Sequence, residues 1–285
     1  MRKCIFLSIL FSFNFCFAQV IKTKNIDSGG SGYYQAIAVK EKSLPNFTIY
    51  KPKTLKQATK IEGKLPIIVW ANGGCMDSSI NHERFLSELA SHGYFIIAIG
   101  KLQMNIKERE HKPTPDEQLL VALDWIVKQS ESKASEYYES IDLKKIAAAG
   151  MSCGGAQTLN IAGNNLIKTY MLFNSGMGEM TMASASSNSL KKLNGPILYV
   201  LGGPSDIAYD NAVIDYNRIK KVPVVLASHP TSGHQGTFAE SFGGSFARFA
   251  LDWLNWQFKG IDRSNIFIGG DLESYDNWSI QSKQF

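Results

Sequence analysis

A glycine-flanked serine is the part of the sequence best suited to chemistry. The pentapeptide Gly150-Met151-Ser152-Cys153-Gly154 has the pattern G-x-S-x-G, and it follows an apolar run, residues 146–149, that we predict to be a buried strand. A sharp turn from strand to helix would lift the Ser152 hydroxyl clear of the sheet. The glycines would let strand and helix approach closely, and the helix N-terminus would offer N–H donors to a developing negative charge. The pattern therefore predicts a nucleophilic serine.

Two later residues are placed to activate such a serine. Asp206 follows the apolar run 197–201, and His234 follows the apolar run 222–226. Loops at the carboxyl ends of parallel strands meet at one edge of a sheet, where the sites of open α/β sheets gather. His234 would accept the Ser152 proton and later give it to a leaving group, while Asp206 would hold the imidazole by its other nitrogen. The order serine, aspartate, histidine is the one that the strand–turn–helix pattern requires.

Each of these two partners has a competitor nearby. Asp210 lies four residues after Asp206, but we place it on the helix that follows. His229 also lies close to the end of a predicted strand and is the weaker alternative for the base. A purely structural interpretation is that Asp206 caps the next helix and that His234 is an ordinary surface histidine. We expect Asp206 and His234 to be the catalytic pair.

Two backbone N–H groups are candidates for binding the oxyanion that serine attack creates. Cys153 comes directly after the predicted nucleophile, and we assign one donor to its N–H. The other would come from the turn 72–75, which follows the apolar run 65–70. We assign it to Gly74, with Cys75 as the alternative donor. The structural interpretation of this loop is a plain turn.

Two cysteines, Cys75 and Cys153, flank this predicted site, whereas Cys4 and Cys16 lie in the N-terminal segment. Two donors that reach one oxygen at about 2.9 Å have backbones within several ångströms of each other. The cysteines are then near the Cα–Cα distance of about 4.4–6.8 Å that a disulfide requires. The sequence leaves two outcomes open, a disulfide or two separate buried thiols.

The N-terminal segment is typical of a secretory signal peptide. Basic residues precede the apolar run 5–17, and small residues stand at the two positions that a signal peptidase reads. We predict a signal peptide over residues 1–18, cleaved after Ala18, and a secreted or periplasmic protein. Lipid attachment at Cys16 is disfavoured by the large Phe15 before it, and a retained anchor is the other alternative. No later apolar run approaches the ~20 residues of a membrane-spanning helix, so we expect no integral membrane segment after cleavage.

Apolar runs and helical periodicities alternate along the rest of the chain. The predicted strands cover residues 47–50, 65–70, 94–99, 146–149, 170–173, 197–201 and 222–226. Helical patterns cover residues 85–90, 114–127 and 211–220, with another helix starting at about residue 154. Strands separated by helices predict an α/β protein with a mostly parallel central sheet and helices on both faces. Because no linker or break in composition is present, we expect a single domain over residues 19–285.

A series of aromatic residues near the C-terminus has helical spacing. It steps by three or four positions through Phe238, Phe242, Phe246, Phe249, Trp253 and Trp256. The spacing predicts one face of a long helix. We interpret this face as core packing against the sheet rather than as a binding surface.

Composition and charge exclude several classes of function. The chain has 285 residues and a formal net charge of +5, which is a mild excess on an ordinary globular surface. It has no run of five Lys or Arg and no basic-aromatic pattern, so we expect no nucleic-acid partner. The histidines and cysteines form no metal-binding motif, and the glycine pair at 202–203 lacks the ending of a phosphate loop. We predict no metal and no cofactor, and we also expect a monomer.

The motifs, taken in order, resemble those of a known group of enzymes. They are Trp70-Ala71-Asn72-Gly73-Gly74-Cys75, Ala90-Ser91-His92-Gly93-Tyr94, Gly150-Met151-Ser152-Cys153-Gly154-Gly155, Gly203-Pro204-Ser205-Asp206-Ile207-Ala208 and Gly233-His234-Gln235-Gly236. From about residue 34 to residue 278 the chain resembles the secreted α/β-hydrolases of the dienelactone hydrolase, chlorophyllase and polyester hydrolase (cutinase-like) group. The resemblance implies an α/β-hydrolase fold with Ser152 as nucleophile, Asp206 and His234 as partners, and Gly74 and Cys153 as N–H donors.

The same resemblance implies an exported serine hydrolase that cleaves carboxylic esters, small or polymeric, through an acyl-serine intermediate. Two departures matter: Asn72 stands where many relatives have histidine, and the nucleophile is serine where dienelactone hydrolases proper have cysteine. The second departure favours ordinary carboxylic esters. An amide or peptide hydrolase and an acyltransferase remain alternatives on the same triad, and a non-catalytic binding protein is the alternative of another class.

The sequence also offers candidates for the wall of a substrate pocket. Trp70, Met151 and Tyr209 lie next to the proposed catalytic residues along the chain, so they are candidates for an acyl or aromatic pocket. The structural alternative for each of them is packing in the hydrophobic core.

Overall fold

Ten strands form one sheet through the described part of the chain. The computed structural model describes residues 18–109 and 112–285, so the predicted signal peptide lies outside the described residues except for Ala18. The strands are β1 (Val20–Lys24), β2 (Ala36–Glu41), β3 (Phe47–Pro52), β4 (Leu65–Ala71), β5 (Phe95–Ile99), β6 (Ile141–Met151), β7 (Ile167–Phe173), β8 (Ile197–Leu201), β9 (Val224–Ser228) and β10 (Ser279–Lys283). Their order across the sheet is β1-β2-β3-β5-β4-β6-β7-β8-β9-β10. Strands β5, β4, β6, β7, β8 and β9 are parallel, and the outer pairings are antiparallel.

Seven helices accompany these strands. They are α1 (Leu55–Glu62), α2 (Glu83–Ser91), α3 (Gln118–Glu131), α4 (Cys153–Asn160), α5 (Tyr209–Arg218), α6 (Gly244–Phe258) and α7 (Ser264–Phe267). Buried side chains of α1, α3, α4 and α5 belong to one hydrophobic core, whereas those of α2 and α6 belong to a second core on the other face. The predicted mostly parallel sheet with helices on both faces is therefore confirmed. Within the described residues, none of the helices has both the length and the apolar character that crossing a membrane requires.

The central strand β4 shows why the sheet is covered on both sides. Its side chains alternate, so that Ile67 and Val69 pack in one core while Ile68 and Trp70 pack in the other. All four are fully buried. A strand without a polar face is stable only where both faces are covered, as in parallel sheets with crossover helices. This burial fixes the position of the loop that follows β4 beside the end of β6.

The predicted long aromatic helix is wrong at its N-terminal end. Helix α6 begins only at Gly244, because Phe242, Gly243 and Gly244 have positive φ angles of 57°, 72° and 60° that interrupt a right-handed helix. Thr237 Oγ1 accepts a hydrogen bond from the Phe246 N–H at 2.9 Å in the first turn of α6. Phe238 consequently lies in the loop after β9, not on the helix, and this loop approaches the candidate site.

Helix α3 also begins later than its sequence signals predict. The helical pattern begins at residue 114, where threonine is a favoured N-cap residue, but the helix starts at Gln118. The Thr114 hydroxyl donates to the Cys75 carbonyl at 3.0 Å and accepts a hydrogen bond from Gln157 Nε2 at 3.0 Å. Tertiary hydrogen bonds therefore engage the side chain that would otherwise cap the helix.

Candidate active site

The candidate nucleophile Ser152 lies on the turn between β6 and α4. Its φ of 53° and ψ of −121° place it in a region that non-glycine residues rarely occupy. The turn is held by the Ser152 N–H, which donates to the Phe173 carbonyl at 2.9 Å, and by the Ser175 hydroxyl, which donates to the Ser152 carbonyl at 2.8 Å. The conformation is thus strained and fixed by the end of the neighbouring strand β7, and the serine remains half-buried.

The flanking glycines permit the close approach that this turn needs. A Cβ on Gly154 would lie 2.2 Å from the Ala71 carbonyl oxygen, and one on Gly150 would lie 2.3 Å from the Gly154 carbonyl oxygen. Because real Cβ atoms do not come this close to backbone, any side chain would separate α4 from β4 and β6. The steric role that the sequence predicted for the glycines therefore corresponds to actual contacts.

The structure brings Ser152, His234 and Asp206 together. His234 Nε2 lies 2.9 Å from Ser152 Oγ, and His234 Nδ1 lies 2.7 Å from Asp206 Oδ1. Asp206 is in the turn after β8, and His234 is in a short 3₁₀ turn after β9. Asn174, after β7, donates to the His234 carbonyl at 2.9 Å and so holds that turn against the strand next to Ser152.

The environment of Asp206 favours its charged form. Burial on its own would raise the pKa of Asp206, but the hydrogen bonds it accepts from His234 and from the backbone N–H groups of Ala208 and Gly202 outweigh burial and lower that pKa. A charged Asp206 accepts a hydrogen bond from a protonated His234 Nδ1. This leaves Nε2 unprotonated, so that it can accept a hydrogen bond from the Ser152 hydroxyl. The arrangement can transfer a proton from Ser152 to His234.

The competing aspartate and histidine lie outside the hydrogen-bonded set of Ser152, His234 and Asp206. Asp210 lies in the first turn of α5, as expected, and its neighbour Asp206 is the one that faces His234. His229 Nδ1 accepts the N–H groups of Thr231 and Ser232, both at 3.0 Å, and its ring packs against aromatic side chains. His229 thus holds its own loop rather than the serine.

The turn after β4 lies beside the candidate nucleophile. Gly73 and Gly74 line the same cleft as Ser152, and Cys153 is the first residue of α4. The N–H of Cys75 donates to the Asn72 carbonyl at 3.2 Å within the turn, so this alternative donor is already engaged. The Asn72 side chain accepts from Trp70 Nε1 at 3.0 Å and donates to the Ile99 carbonyl at 2.7 Å, which anchors the turn to β5. Gly74 therefore remains the better candidate for the second oxyanion donor.

The two cysteines that flank the site are joined. Cys75 and Cys153 form a disulfide with a Cα–Cα distance of 5.1 Å across a separation of 78 residues. Of the two outcomes that the sequence left open, the structure has the disulfide. Among the described residues, no group of three or more metal-ligating side chains is present.

A cleft of about 560 Å³ opens over Ser152 and His234. The apolar residues of its wall include Met76, Ile80, Met151 and Phe238. The polar residues of the wall include Asn81, His82, Arg84, Arg109 and Gln235. Sequence reasoning found Met151 but missed the residues that follow the turn after β4, because an irregular loop carries no periodic signal. Phe238 was assigned to a helix, and only the broken helix start places it here.

Two of the predicted pocket residues lie elsewhere. Trp70 is fully buried, since its position in β4 directs it into the core shared with α2 and α6. Tyr209 begins α5 and packs against the core on the opposite face of the sheet. Adjacency along the chain did not predict contact with the cleft, because strand alternation and helix position decide where each side chain lies.

Comparison with known proteins gives one family. A search of curated proteins finds no match to this chain. The family described as PETase, PET hydrolase-like, matches residues 30–273, which is most of the chain and includes all three residues of the hydrogen-bonded set. This match confirms the resemblance to the polyester hydrolase group and the α/β-hydrolase fold, and it implies hydrolysis of esters. The chain belongs to the PET hydrolase-like family.

Proposed function

We propose that the protein is an exported serine hydrolase that cleaves carboxylic esters through an acyl-serine intermediate. The observation that supports this most directly is the continuous hydrogen-bonded series from Asp206 through His234 to Ser152, with distances of 2.7 and 2.9 Å. The series ends at a hydroxyl that lines an open cleft. A serine, a base and an orienting carboxylate in this geometry are the components of nucleophilic acyl transfer.

In the proposed reaction, Ser152 Oγ attacks the ester carbonyl carbon while His234 Nε2 takes its proton. The carbonyl oxygen becomes an oxyanion, which accepts hydrogen bonds from the N–H groups of Gly74 and Cys153. Asp206 stabilises the imidazolium, which then protonates the alcohol oxygen as the ester bond breaks. Water attacks the acyl-serine by the same sequence of steps, and the acid leaves.

The cleft supports esters with an apolar or aromatic part. Met151 and Phe238 provide apolar surface next to the nucleophile, whereas Asn81 and Arg109 provide polar groups in the same cleft. Because the matching family is named for hydrolysis of PET, an aromatic polyester, we include polymeric as well as small-molecule esters among the proposed substrates. The acyl and alcohol groups are to be identified by a panel of esters graded in acyl length and aromaticity.

We also propose that residues 1–18 are a signal peptide and that residues 19–285 are one hydrolase domain that acts as a monomer outside the cytoplasm. A disulfide beside the site is consistent with an oxidising compartment. N-terminal sequencing of the exported protein tests the cleavage site, and a mature chain that does not begin at Gln19 would move it.

The decisive experiment uses the mature protein and an active-site probe. A fluorophosphonate should add one label at Ser152, and Ser152→Ala should lower turnover of a p-nitrophenyl ester by about 10⁶-fold, the scale of losing a serine nucleophile. Activity that survives Ser152→Ala within tenfold would contradict the mechanism. Matched ester and anilide substrates test the bond: faster anilide cleavage would indicate an amide hydrolase, and acyl transfer to an added alcohol in place of water would indicate an acyltransferase. A folded protein that takes no label would favour a binding function.

A further inference from the structure

We propose that the Cys75–Cys153 disulfide positions the two oxyanion donors, so that turnover depends on the covalent link and not only on the fold. This inference rests on the proposed function, because it concerns how that same site stabilises the oxyanion. It assigns to Cys75 and Cys153 a positioning role beyond their effect on stability.

The link joins the two segments whose N–H groups would converge. Cys153 follows Ser152 directly and begins α4, and its own N–H is one proposed donor. Cys75 follows Gly74 directly, and the Gly74 N–H is the other. Their Cα atoms are 5.1 Å apart although 78 residues separate them in the chain. A change in the relative position of the two cysteines would therefore change the relative position of the two donors.

The turn on the Cys75 side is the part that needs support. Gly74 and Cys75 both have left-handed backbone conformations, with φ angles of 65° and 51°. Cysteine adopts this conformation only where its surroundings enforce it, because its Cβ crowds the backbone there. Gly74 is exposed on the cleft, whereas Cys75 is buried. The turn is thus a strained segment, exposed at Gly74, next to the position that the reacting carbonyl would take.

Besides the Asn72 anchor to β5, two connections hold Cys75, and both lead to α4. The first is the disulfide to Cys153. The second is a series of hydrogen bonds in which the Thr114 N–H and hydroxyl donate to the Cys75 carbonyl at 2.8 and 3.0 Å, while Gln157 Nε2 donates to the Thr114 hydroxyl at 3.0 Å. Gln157 is fully buried on α4. The covalent link acts on the Cys75 side chain and the hydrogen bonds act on its carbonyl, so together they fix its orientation.

The nucleophile is held without the disulfide. Ser152 is fixed by hydrogen bonds to Phe173 and Ser175, and Gly154 packs directly against the end of β4. The described side-chain hydrogen bonds of His234 and Asp206 lead to Ser152, to each other and to the backbone at residues 202 and 208, not to the turn 73–75. Cutting the disulfide should therefore release the Gly74 donor and leave the serine, histidine and aspartate in place. Loss of one oxyanion donor lowers kcat by about 10²–10³-fold in serine hydrolases with little effect on ground-state binding.

The test compares the double variant Cys75→Ala/Cys153→Ala with Leu55→Ala. Leu55 is buried in α1, away from the cleft, so its truncation lowers stability without touching the site. Both variants are assayed where circular dichroism shows them to be folded. We expect kcat of the double variant to fall by about 10²-fold or more, with KM within about threefold and an unchanged pH profile of kcat/KM, whereas Leu55→Ala keeps its kcat. A kcat within threefold of the parent for both variants would show that the disulfide only stabilises the fold.

A reversible experiment covers the case in which the double variant does not fold. A small dithiol reduces the protein disulfide to two thiols and is itself oxidised to a cyclic disulfide. The reduced, folded protein should lose kcat. It should regain kcat when the dithiol is removed and oxidised glutathione reoxidises the two cysteines, being itself reduced to two thiols. Unchanged activity with two free thiols counted would overturn the inference. If the untreated parent shows no Ser152-dependent ester hydrolysis, the proposed function itself fails and this inference with it.

Discussion

Asp206 Oδ1 lies 2.7 Å from His234 Nδ1, on the side of the imidazole away from Ser152. The Asp206 side chain is fully buried, and the His234 side chain keeps 21% of its surface exposed. A buried carboxylate in this position selects the tautomer in which Nε2 can accept a proton. The positions of the loops after β8 and β9 therefore determine whether His234 can accept the proton of Ser152.

Replacing Asp206 by Asn tests this relationship. The amide keeps the size of the side chain but removes the charge, so it stabilises neither the required tautomer nor the imidazolium. We expect Asp206→Asn to lower kcat of ester hydrolysis by about 10⁴-fold. Asp210→Asn is the matched control four residues away, on the first turn of α5, and its kcat should stay within about threefold of the parent. The opposite ranking of the two variants would reassign the orienting carboxylate.

The turn that carries His234 packs directly against the turn that carries Asp206, and this contact yields a second prediction. The Gly233 N–H donates to the Gly202 carbonyl at 2.7 Å, and a Cβ on Gly202 would lie 1.8 Å from the Gly233 carbonyl oxygen. Gly202→Ala must therefore displace the His234 turn. Because a shift of about 1 Å in a catalytic group costs about 10²-fold, we expect kcat/KM to fall by at least that factor.

The control for this substitution is Gly63→Ala, at the C-terminal end of α1. A Cβ there meets no atom within 4 Å, but its φ of 75° and ψ of −148° lie in a region that residues other than glycine rarely adopt. Gly63→Ala should lower the free energy of unfolding by about 1–3 kcal/mol and leave kcat/KM unchanged. Equal kinetic effects of the two substitutions would mean that general destabilisation, not displacement of His234, causes the loss.

The sequence predicted those elements whose burial leaves a clear pattern. Strand β8 was predicted with its observed bounds, because a short run of apolar residues between turns has few other interpretations. Strand β2 was missed although most of its residues are buried. The edge strands β1 and β10 were missed as well. Their residues are mostly exposed or half-buried and include several lysines, and only pairing with β2 and β9 makes them strands. Such edge strands depend on tertiary contacts that no local pattern reports.

In the candidate site, the positions of three residues could be predicted from the strands that precede them, whereas the cleft wall could not. Ser152, Asp206 and His234 each follow a predicted buried strand, so parallel topology alone places them at one edge of the sheet. The cleft wall could not be predicted, because it is built from irregular segments around residues 76–84 and from Phe238. Phe238 leaves the helix only because the next residues adopt left-handed conformations, and nothing in the aromatic spacing reports that.

His82 provides a prediction about stability rather than catalysis. Its ring is buried against Trp70 and Phe238, with ring centroids 5.2 and 4.9 Å away, and among the described residues Nδ1 has no hydrogen-bond partner. Burial lowers the pKa of His82 to about 3, from an unfolded value of 6.5. Between these values the unfolded state binds more protons than the folded state, so acid destabilises the fold.

Replacing His82 by phenylalanine should remove this destabilisation by acid. The parent should lose about 1.4 kcal/mol of unfolding free energy per pH unit through this residue as the pH falls below about 6.5. The variant lacks this loss, so its advantage over the parent should grow by roughly 2.3 kcal/mol between pH 6.5 and 4.5. Urea unfolding at pH 7, 5.5 and 4.5 measures the difference. An offset between variant and parent that stays constant over this range would show that His82 is protonated within the fold.

Substituting Thr114 tests the hydrogen bonds that hold the Cys75 turn separately from the disulfide. Its hydroxyl links the Cys75 carbonyl to Gln157 on α4, and valine has the same shape without the hydroxyl. The valine variant loses both hydrogen bonds of this hydroxyl, and a loss of about 1 kcal/mol of support at the turn should lower kcat by about fivefold while the disulfide stays intact. Thr114→Ser keeps the hydroxyl and should restore kcat, which loss of packing alone would not explain. If Thr114→Val keeps the kcat of the parent, the hydroxyl does not hold the turn, and the restraint on Cys75 then comes from the disulfide.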